Sequence, residues 1–180
     1  VRSIPSAKVS VNKKQYQSQE IPLKIRIPRE TDDFKLRMNP QKASLFVGEP
    51  VVVTVRLYLK KNVKGFEFSA PKKSAFERHN PPIEKLSHTQ AQKQGLVRLK
   101  IFDSEVLAQQ ENSKLGGQTY TVIRFEQILV PKKAGRLKFG PITIQLQAVV
   151  GQRKRDFFSD PFGSPDIVKK FVIPSNTLEF

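Results

Sequence analysis

The chain has 180 residues, 38% of them apolar, and a formal charge of +16. That apolar fraction can fill a core and excludes a disordered composition, and no apolar run reaches the ~18–20 residues of a membrane-spanning helix. Cysteine is absent, which removes disulfides and cysteine-ligated metals and fits the cytosol and the bacterial periplasm equally well.

The positive charge has two readings: a polyanion partner, or solvent-facing strand positions filled with Lys and Arg. Lys24, Arg26, Lys35, Arg37, Arg56, Arg98, Lys100 and Arg124 each alternate with apolar neighbours and are spread along the chain. Dispersal of this kind favours solvated faces and the protection of sheet edges. The chain opens at Val1 without a leader pattern and closes in a strand-like stretch, so it reads as an excised segment.

In chain order, residues 1–28 read as a hairpin. Ala7–Val11 is a strand, Asn12-Lys13-Lys14 a turn, and Ile21–Ile27 a second strand in which Leu23, Ile25 and Ile27 alternate with Lys24 and Arg26. A lone hairpin is marginal in water. This one therefore reads as the closing hairpin of a preceding β-sandwich module, with residues 29–33 as a linker. Residues 34–180 form the main domain. Phe34–Met38 alternates up to Asn39-Pro40, Ser44–Val47 is a short edge piece, and Gly48-Glu49-Pro50 turns the chain. Val51–Leu59 is the clearest strand, with Val51, Val53, Val55 and Leu57 on one face. Val63–Ser69 follows.

Residues 70–94 hold Pro71, Pro81 and Pro82, which forbid a long element. Lys72–His79 reads as a helical turn or loop, and Ile83–Leu86 as a short strand. Gly95–Phe102 resumes the alternation. Ser104–Asn112 is the best helix candidate, with Ser104 as N-cap, and Gly116-Gly117 resets the chain. Thr119–Val130 and Ile142–Val150 are the two most β-rich runs, separated by the Lys132-Lys133-Ala134-Gly135 turn and Gly140-Pro141. Two strands cannot stand alone, so Phe34–Met38, Val51–Leu59, Val63–Ser69 and Gly95–Phe102 must supply the facing sheet. Ser164-Pro165-Asp166 reads as a helix start, and Phe171–Ile173 and Thr177–Phe180 as closing strands. The fold class is all-β: an Ig-like antiparallel β-sandwich preceded by the terminal hairpin of another β module.

Catalytic chemistry leaves little trace. His79 and His88 have no ligand spacing around them, and Asp103 with Glu105 is no more than chance supplies. No nucleophile elbow, phosphate-binding loop or dinucleotide motif occurs, so the chain reads as a non-enzyme with no cofactor or metal. Phe66, Phe125 and Phe139 adjoin Lys64, Arg124 and Lys138, the ingredients of a base-stacking groove. Thirteen Phe without Trp nonetheless read as core filler. Phe157, Phe158, Asp160, Pro161 and Phe162 form an aromatic, breaker-rich loop, the sequence's candidate for partner docking.

Gly48-Glu49-Pro50 followed by VVVTVRLYLK resembles the opening of a repeat in the BatD family, the oxygen-tolerance or aerotolerance proteins. Gln118–Pro141, with Tyr120, Arg124-Phe125-Glu126 and Pro131–Pro141, is similar to that family's most typical stretch. Arg155–Phe158 with Asp160-Pro161-Phe162, and then Val172–Leu178, resemble the segments that follow. The resemblance covers about residues 34–180, and residues 7–27 resemble the last hairpin of the preceding module. It departs from the family in its Lys and Arg content and in a shortened Asp160–Gly163 segment. It implies a non-enzymatic scaffold of β-sandwich modules on the periplasmic face of the bacterial inner membrane, anchored by a spanning helix outside this segment. The implied partners are the von Willebrand A-domain proteins BatA and BatB and a MoxR-type AAA+ ATPase, and the implied role is oxygen tolerance and envelope stress resistance. The residues themselves leave two other readings open: a basic sandwich binding single-stranded nucleic acid or an anionic membrane surface, and a hydrolase with converging acids.

Overall fold

A computed structural model of the chain describes residues 2–71, 74–82, 95–102, 104–152 and 166–180. Fifteen strands run through them: β1 (Arg2–Ile4), β2 (Lys8–Val11), β3 (Lys14–Gln17), β4 (Ile21–Leu23), β5 (Phe34–Pro40), β6 (Val51–Leu59), β7 (Val63–Ser69), β8 (Phe76–His79), β9 (Leu96–Ile101), β10 (Ser104–Leu115), β11 (Gln118–Pro131), β12 (Lys138–Phe139), β13 (Thr143–Gln152), β14 (Asp166–Pro174) and β15 (Leu178–Glu179). There is no helix among the described residues, and every ladder is antiparallel, as the all-β reading expects.

The large sheet runs β5-β6-β11-β10-β9, with β8 pairing the far end of β11. The facing sheet runs β14-β13-β7, and β12 pairs β15. Strand alternation explains the division. On β5 and β6, Phe34, Leu36, Met38, Val51, Val53, Val55 and Leu57 point inward and are buried, while the intervening side chains are half-buried or exposed. On β13, Ile144, Leu146 and Ala148 meet them from the other side. Each such Val, Leu or Ile contributes roughly 1.5–3 kcal/mol by leaving water.

Several expectations change. Ser104–Asn112 is not a helix but the first part of β10, paired on both sides with β9 and β11. Gly116 and Gly117, with φ of 58° and 77°, make the two-residue turn that folds β10 back on β11. Thr119–Val130 and Ile142–Val150 do not lie in one sheet: β11 is central to the large sheet and β13 to the facing one. Of the four runs assigned to the facing sheet, only Val63–Ser69 is there, as β7. Phe34–Met38, Val51–Leu59 and the Gly95–Phe102 run join β11 instead. Ser44–Val47 is not a strand, and Phe76–His79 is a strand where a helical turn or loop was expected. Asp166 begins β14 and no helix. Ser164, Pro165 and Ile83–Leu86 lie outside the described residues.

In the N-terminal segment, β1 pairs β4, and β2 pairs β3 across Asn12-Lys13, both at positive φ. The second strand ends at Leu23 and not at Ile27: Ile25 and Ile27 find no ladder partner among the described residues and are 71% and 77% exposed. Period-two alternation without a neighbouring strand does not make a strand.

The two sheets are joined by polar bonds as well as by the core. Ser175 N donates to Ile142 O at 2.8 Å, and Ile142 N donates to Ser175 Oγ at 3.0 Å. The next residue reaches the other sheet: Met38 N donates to Asn176 Oδ1 at 2.8 Å, and Asn176 Nδ2 donates to Met38 O at 2.9 Å. Gly140 leaves room for this joint. It sits at φ 99°, and a Cβ there would stand 2.9 Å from Met38 Cε and 3.3 Å from Asn176 O.

Candidate functional site

Phe157, Phe158, Asp160, Pro161 and Phe162, the docking residues expected from the sequence, lie outside the described residues, as do His88 and Asp103. His79 sits on β8, exposed, with Nε2 3.7 Å from Glu77. Glu105 is exposed at the start of β10, facing Lys100, and its carboxylate lies 3.8 Å from Arg98. No group of three or more His, Cys, Asp or Glu that could hold a metal occurs among the described residues. Phe125 and Phe139 are buried, so they fill the core and offer no base-stacking surface, and Phe66 is half-buried edge-on to Phe68.

Two surface features remain. The first is the turn before β6. Phe46 is 83% exposed and Val47 54%, although the turn that carries them is pinned at several points. Phe46 N donates to Glu49 Oε2 at 2.8 Å, Glu49 N donates to Phe46 O at 3.1 Å, and Gly48 N donates to Pro131 O at 2.9 Å. Hydrogen bonds from Lys42 and from the Phe46 N–H hold the Glu49 carboxyl below the ordinary carboxylate range. Leu45 packs against the core on the inner side. The result is an aromatic side chain displayed on an ordered turn, the form that interface anchors take. The sequence signal was present in Leu45-Phe46-Val47 before Gly48, three apolar residues of which a turn can bury only some, but the stretch reads as an edge strand.

The second feature is the outer face of the large sheet. Registers bring residues from three strands into one row: Arg37 on β5 is opposite Arg56 on β6, and Arg56 is opposite Arg124 on β11. Beyond Arg124 the row continues to Gln109 on β10. All three arginines are half-buried. Like charges directly opposite one another on neighbouring strands repel. Towards the other edge of this face a cation and an acid are matched: Lys100 on β9 stands opposite Glu105 on β10, which Arg98 also approaches.

Within the row, among the described residues, Arg37 alone has a carboxylate. Glu30 accepts from Arg37 and from Lys35 Nζ, with oxygens 2.6 Å and 2.9 Å from the two cations. Burial pushes the Glu30 carboxyl upward, but the bonds from Lys35 and Arg37 outweigh it and hold the group below its ordinary range. Arg56 Nη1 meets the Asn39 side-chain oxygen at 3.0 Å, with the amide turned so that its nitrogen donates to Met38 O. Arg124 donates to Gln109 Oε1. Both partners are neutral, and among the described residues no carboxylate stands at ion-pair distance from Arg56 or Arg124. Glu126, two residues along β11 on the same face, is exposed and stands opposite Thr54; Glu111 stands opposite Val122. Among the described residues, neither Arg124 nor Glu126 stands opposite a group of the other charge.

An open cavity of about 560 Å³ lies at the Arg37 end, lined by Lys35, Lys60, Tyr120 and Asp32 among others. A smaller one of about 160 Å³ lies at the Arg124 end, lined by Arg124, Gln109, Pro81 and Pro82 among others. The arginines read as dispersed in the sequence, and the folded sheet gathers them. Comparison of the chain with models of known protein families, with curated proteins and with solved structures gave no match.

Proposed function

We propose that this chain is a non-enzymatic protein-interaction module, a β-sandwich that presents ordered contact features to a partner. The observation that carries this is Phe46, held out to solvent on a turn whose backbone is fastened to Glu49 and Pro131. The resemblance of Gly48–Leu59 and Gln118–Pro141 to the BatD family supports the finer reading. On that reading, residues 1–28 close a preceding module, residues 34–180 form a periplasmic scaffold domain of an inner-membrane protein, and von Willebrand A-domain proteins with a MoxR-type ATPase are the partners. Oxygen tolerance and envelope stress resistance would be the cellular role.

Pull-down from a detergent extract of the source cells with tagged chain tests this. Recovery of an A-domain protein is expected, and Phe46→Ala is expected to reduce it while leaving the melting temperature unchanged, because a substitution on an exposed turn costs within about 0.5 kcal/mol. The triple substitution Phe157→Ala, Phe158→Ala and Phe162→Ala examines the other aromatic loop in the same assay. If no A-domain protein is recovered, the finer reading fails.

The formal charge of +16 favours a second reading, a basic sandwich that binds a polyanion such as single-stranded nucleic acid or an anionic membrane surface. Its signature is oligonucleotide or anionic-vesicle binding that falls steeply with salt. A flat titration at low salt discards it.

A further inference from the structure

We propose that the Arg37–Arg56–Arg124 row is a docking platform for an acidic segment of a partner protein, whose carboxylates pair with Arg56 and Arg124. The inference rests on the reading of the chain as a protein-interaction module. Its starting point is an imbalance. Three guanidinium groups are set opposite one another across three adjacent strands, an arrangement that costs stability in the unbound sheet. Among the described residues, two of the three meet neutral amides and no carboxylate. A guanidinium forms its strongest pairs with planar two-oxygen acceptors, so an incoming carboxylate gains two charge-assisted bonds and relieves the repulsion along the row.

The choice of a peptide occupant comes from what already lies on this face. Glu30-Thr31-Asp32-Asp33 is an acidic segment of the chain itself, and it is seated at the Arg37 end. Glu30 takes Lys35 and Arg37 through its carboxylate, and Asp32 takes the Tyr120 hydroxyl through its backbone oxygen at 2.9 Å. The face therefore already receives a side-chain carboxylate and a peptide carbonyl together, which are the two acceptors a protein segment offers and a phosphodiester chain does not.

Spacing agrees with this occupant. Opposed side chains on neighbouring strands start about 4.5–5.5 Å apart. Alternate residues of an extended peptide lie roughly 6.5–7 Å apart on one face. Long arginine side chains span that difference, so acidic residues at alternating positions of a segment crossing the strands meet Arg56 and Arg124 in turn.

The test is fluorescence anisotropy on the intact 180-residue chain with a fluorescein-labelled peptide of alternating Glu and Thr. A peptide with Gln in place of Glu and an oligothymidylate of equal charge run beside it. The expected result is binding of the Glu peptide and not the Gln peptide. Arg56→Gln with Arg124→Gln weakens it by about tenfold or more. Lys133→Gln with Lys170→Gln, which removes the same charge far from the row, changes it by less than about twofold. Thermal melting verifies that each variant is folded. Arg56→Lys with Arg124→Lys keeps the charge and removes the planar fork, and it too must weaken binding.

The proposal is overturned by an absence of Glu-peptide binding at low salt, by equal losses in the two Gln double variants, or by full binding in the Lys variant. Tighter, Arg56- and Arg124-dependent binding of the oligothymidylate would also overturn it and assign the row to a phosphate polyanion. If the wild-type chain recovers its A-domain partner but binds no Glu peptide, the platform alone fails and the interaction module stands.

Discussion

Replacing Phe68 with alanine is expected to lower stability by about 3–5 kcal/mol, the range for truncating a buried aromatic. Phe68 projects inward from β7 in the smaller sheet and is 5% exposed. Its ring lies 5.3 Å from that of Phe125 on β11 of the large sheet, at an interplanar angle of 82°, and 6.1 Å from Phe102. Phe66 on its own strand stands edge-on at 5.8 Å. It is thus an aromatic bridge between the two layers, and such pairs add about 0.5–1.5 kcal/mol each beyond the area they bury. Among the described residues β7 pairs β13 alone, and Phe68 is its buried side chain, with Val63 and Phe66 packed partly buried beside it. Chemical denaturation followed by circular dichroism checks the prediction. Phe68→Leu, which keeps most of the volume but not the ring quadrupole, is expected to lose less, under about 1.5 kcal/mol. Equal losses for Ala and Leu would show that ring geometry and not cavity volume sets the cost. A loss under about 1 kcal/mol for Ala would mean that the layers are not bridged there.

The strands that the sequence reveals are those whose side-chain alternation is complete within the segment. Val51–Leu59 reads correctly because burial on one face, with Thr54, Arg56 and Tyr58 on the other, is written into nine consecutive residues. Ser104–Leu115 does not, because Glu105, Leu107, Ala108, Gln109 and Gln110 carry helix propensity that only pairing with β9 and β11 overrides. One local signal did point the right way. Two glycines bounded by polar and apolar alternation suit a tight hairpin turn, and Gly116-Gly117 connects strands of the same sheet. Reading that turn first would have made the preceding segment a strand.

The division of strands between sheets is harder to see, since the Pro131–Pro141 connection could join hairpin partners or cross between layers, and only the packing of β13 on β7 and β14 decides it. The arginine row is hardest. It depends on two ladder registers at once, and a shift of one residue in either would turn an arginine to the core side. Nothing local to Arg37, Arg56 or Arg124 announces the other two. Alternation showed each to be outward-facing but could not show that they are neighbours.

Removing the Asn176 side chain tests the polar joint between the layers, with an expected loss of about 1–3 kcal/mol for Asn176→Ala. Exposed asparagines are ordinarily replaced at little cost, and Asn176 is exposed over much of its surface. Its importance comes from where its amide points. Met38 is 1% exposed, β5 is at the edge of the large sheet, and Met38 N–H and C=O face away from β6. The Asn176 amide supplies one acceptor and one donor to them, in place of the strand that an edge lacks. Ser175, one residue earlier, serves Ile142 beside the facing sheet differently: its Oγ accepts from Ile142 N–H, while its own backbone N–H donates to Ile142 O.

Two consecutive residues therefore close the ends of both layers: truncating Asn176 leaves Met38 N–H, and truncating Ser175 leaves Ile142 N–H, to be satisfied by water at the rim of the core. Asn176→Asp separates hydrogen bonding from shape. It keeps the acceptor for Met38 N–H but sets a carboxylate oxygen against Met38 O, so it is expected to cost at least as much as alanine above the carboxylate pKa and to recover as the group is protonated and becomes a donor. Hydrogen exchange at Met38 and Ile142 identifies the joint directly. Faster exchange of the Met38 amide in Asn176→Ala, with Ile142 still protected by Ser175, is the expected pattern. Uniform acceleration of both amides would instead report general loosening of the sandwich end.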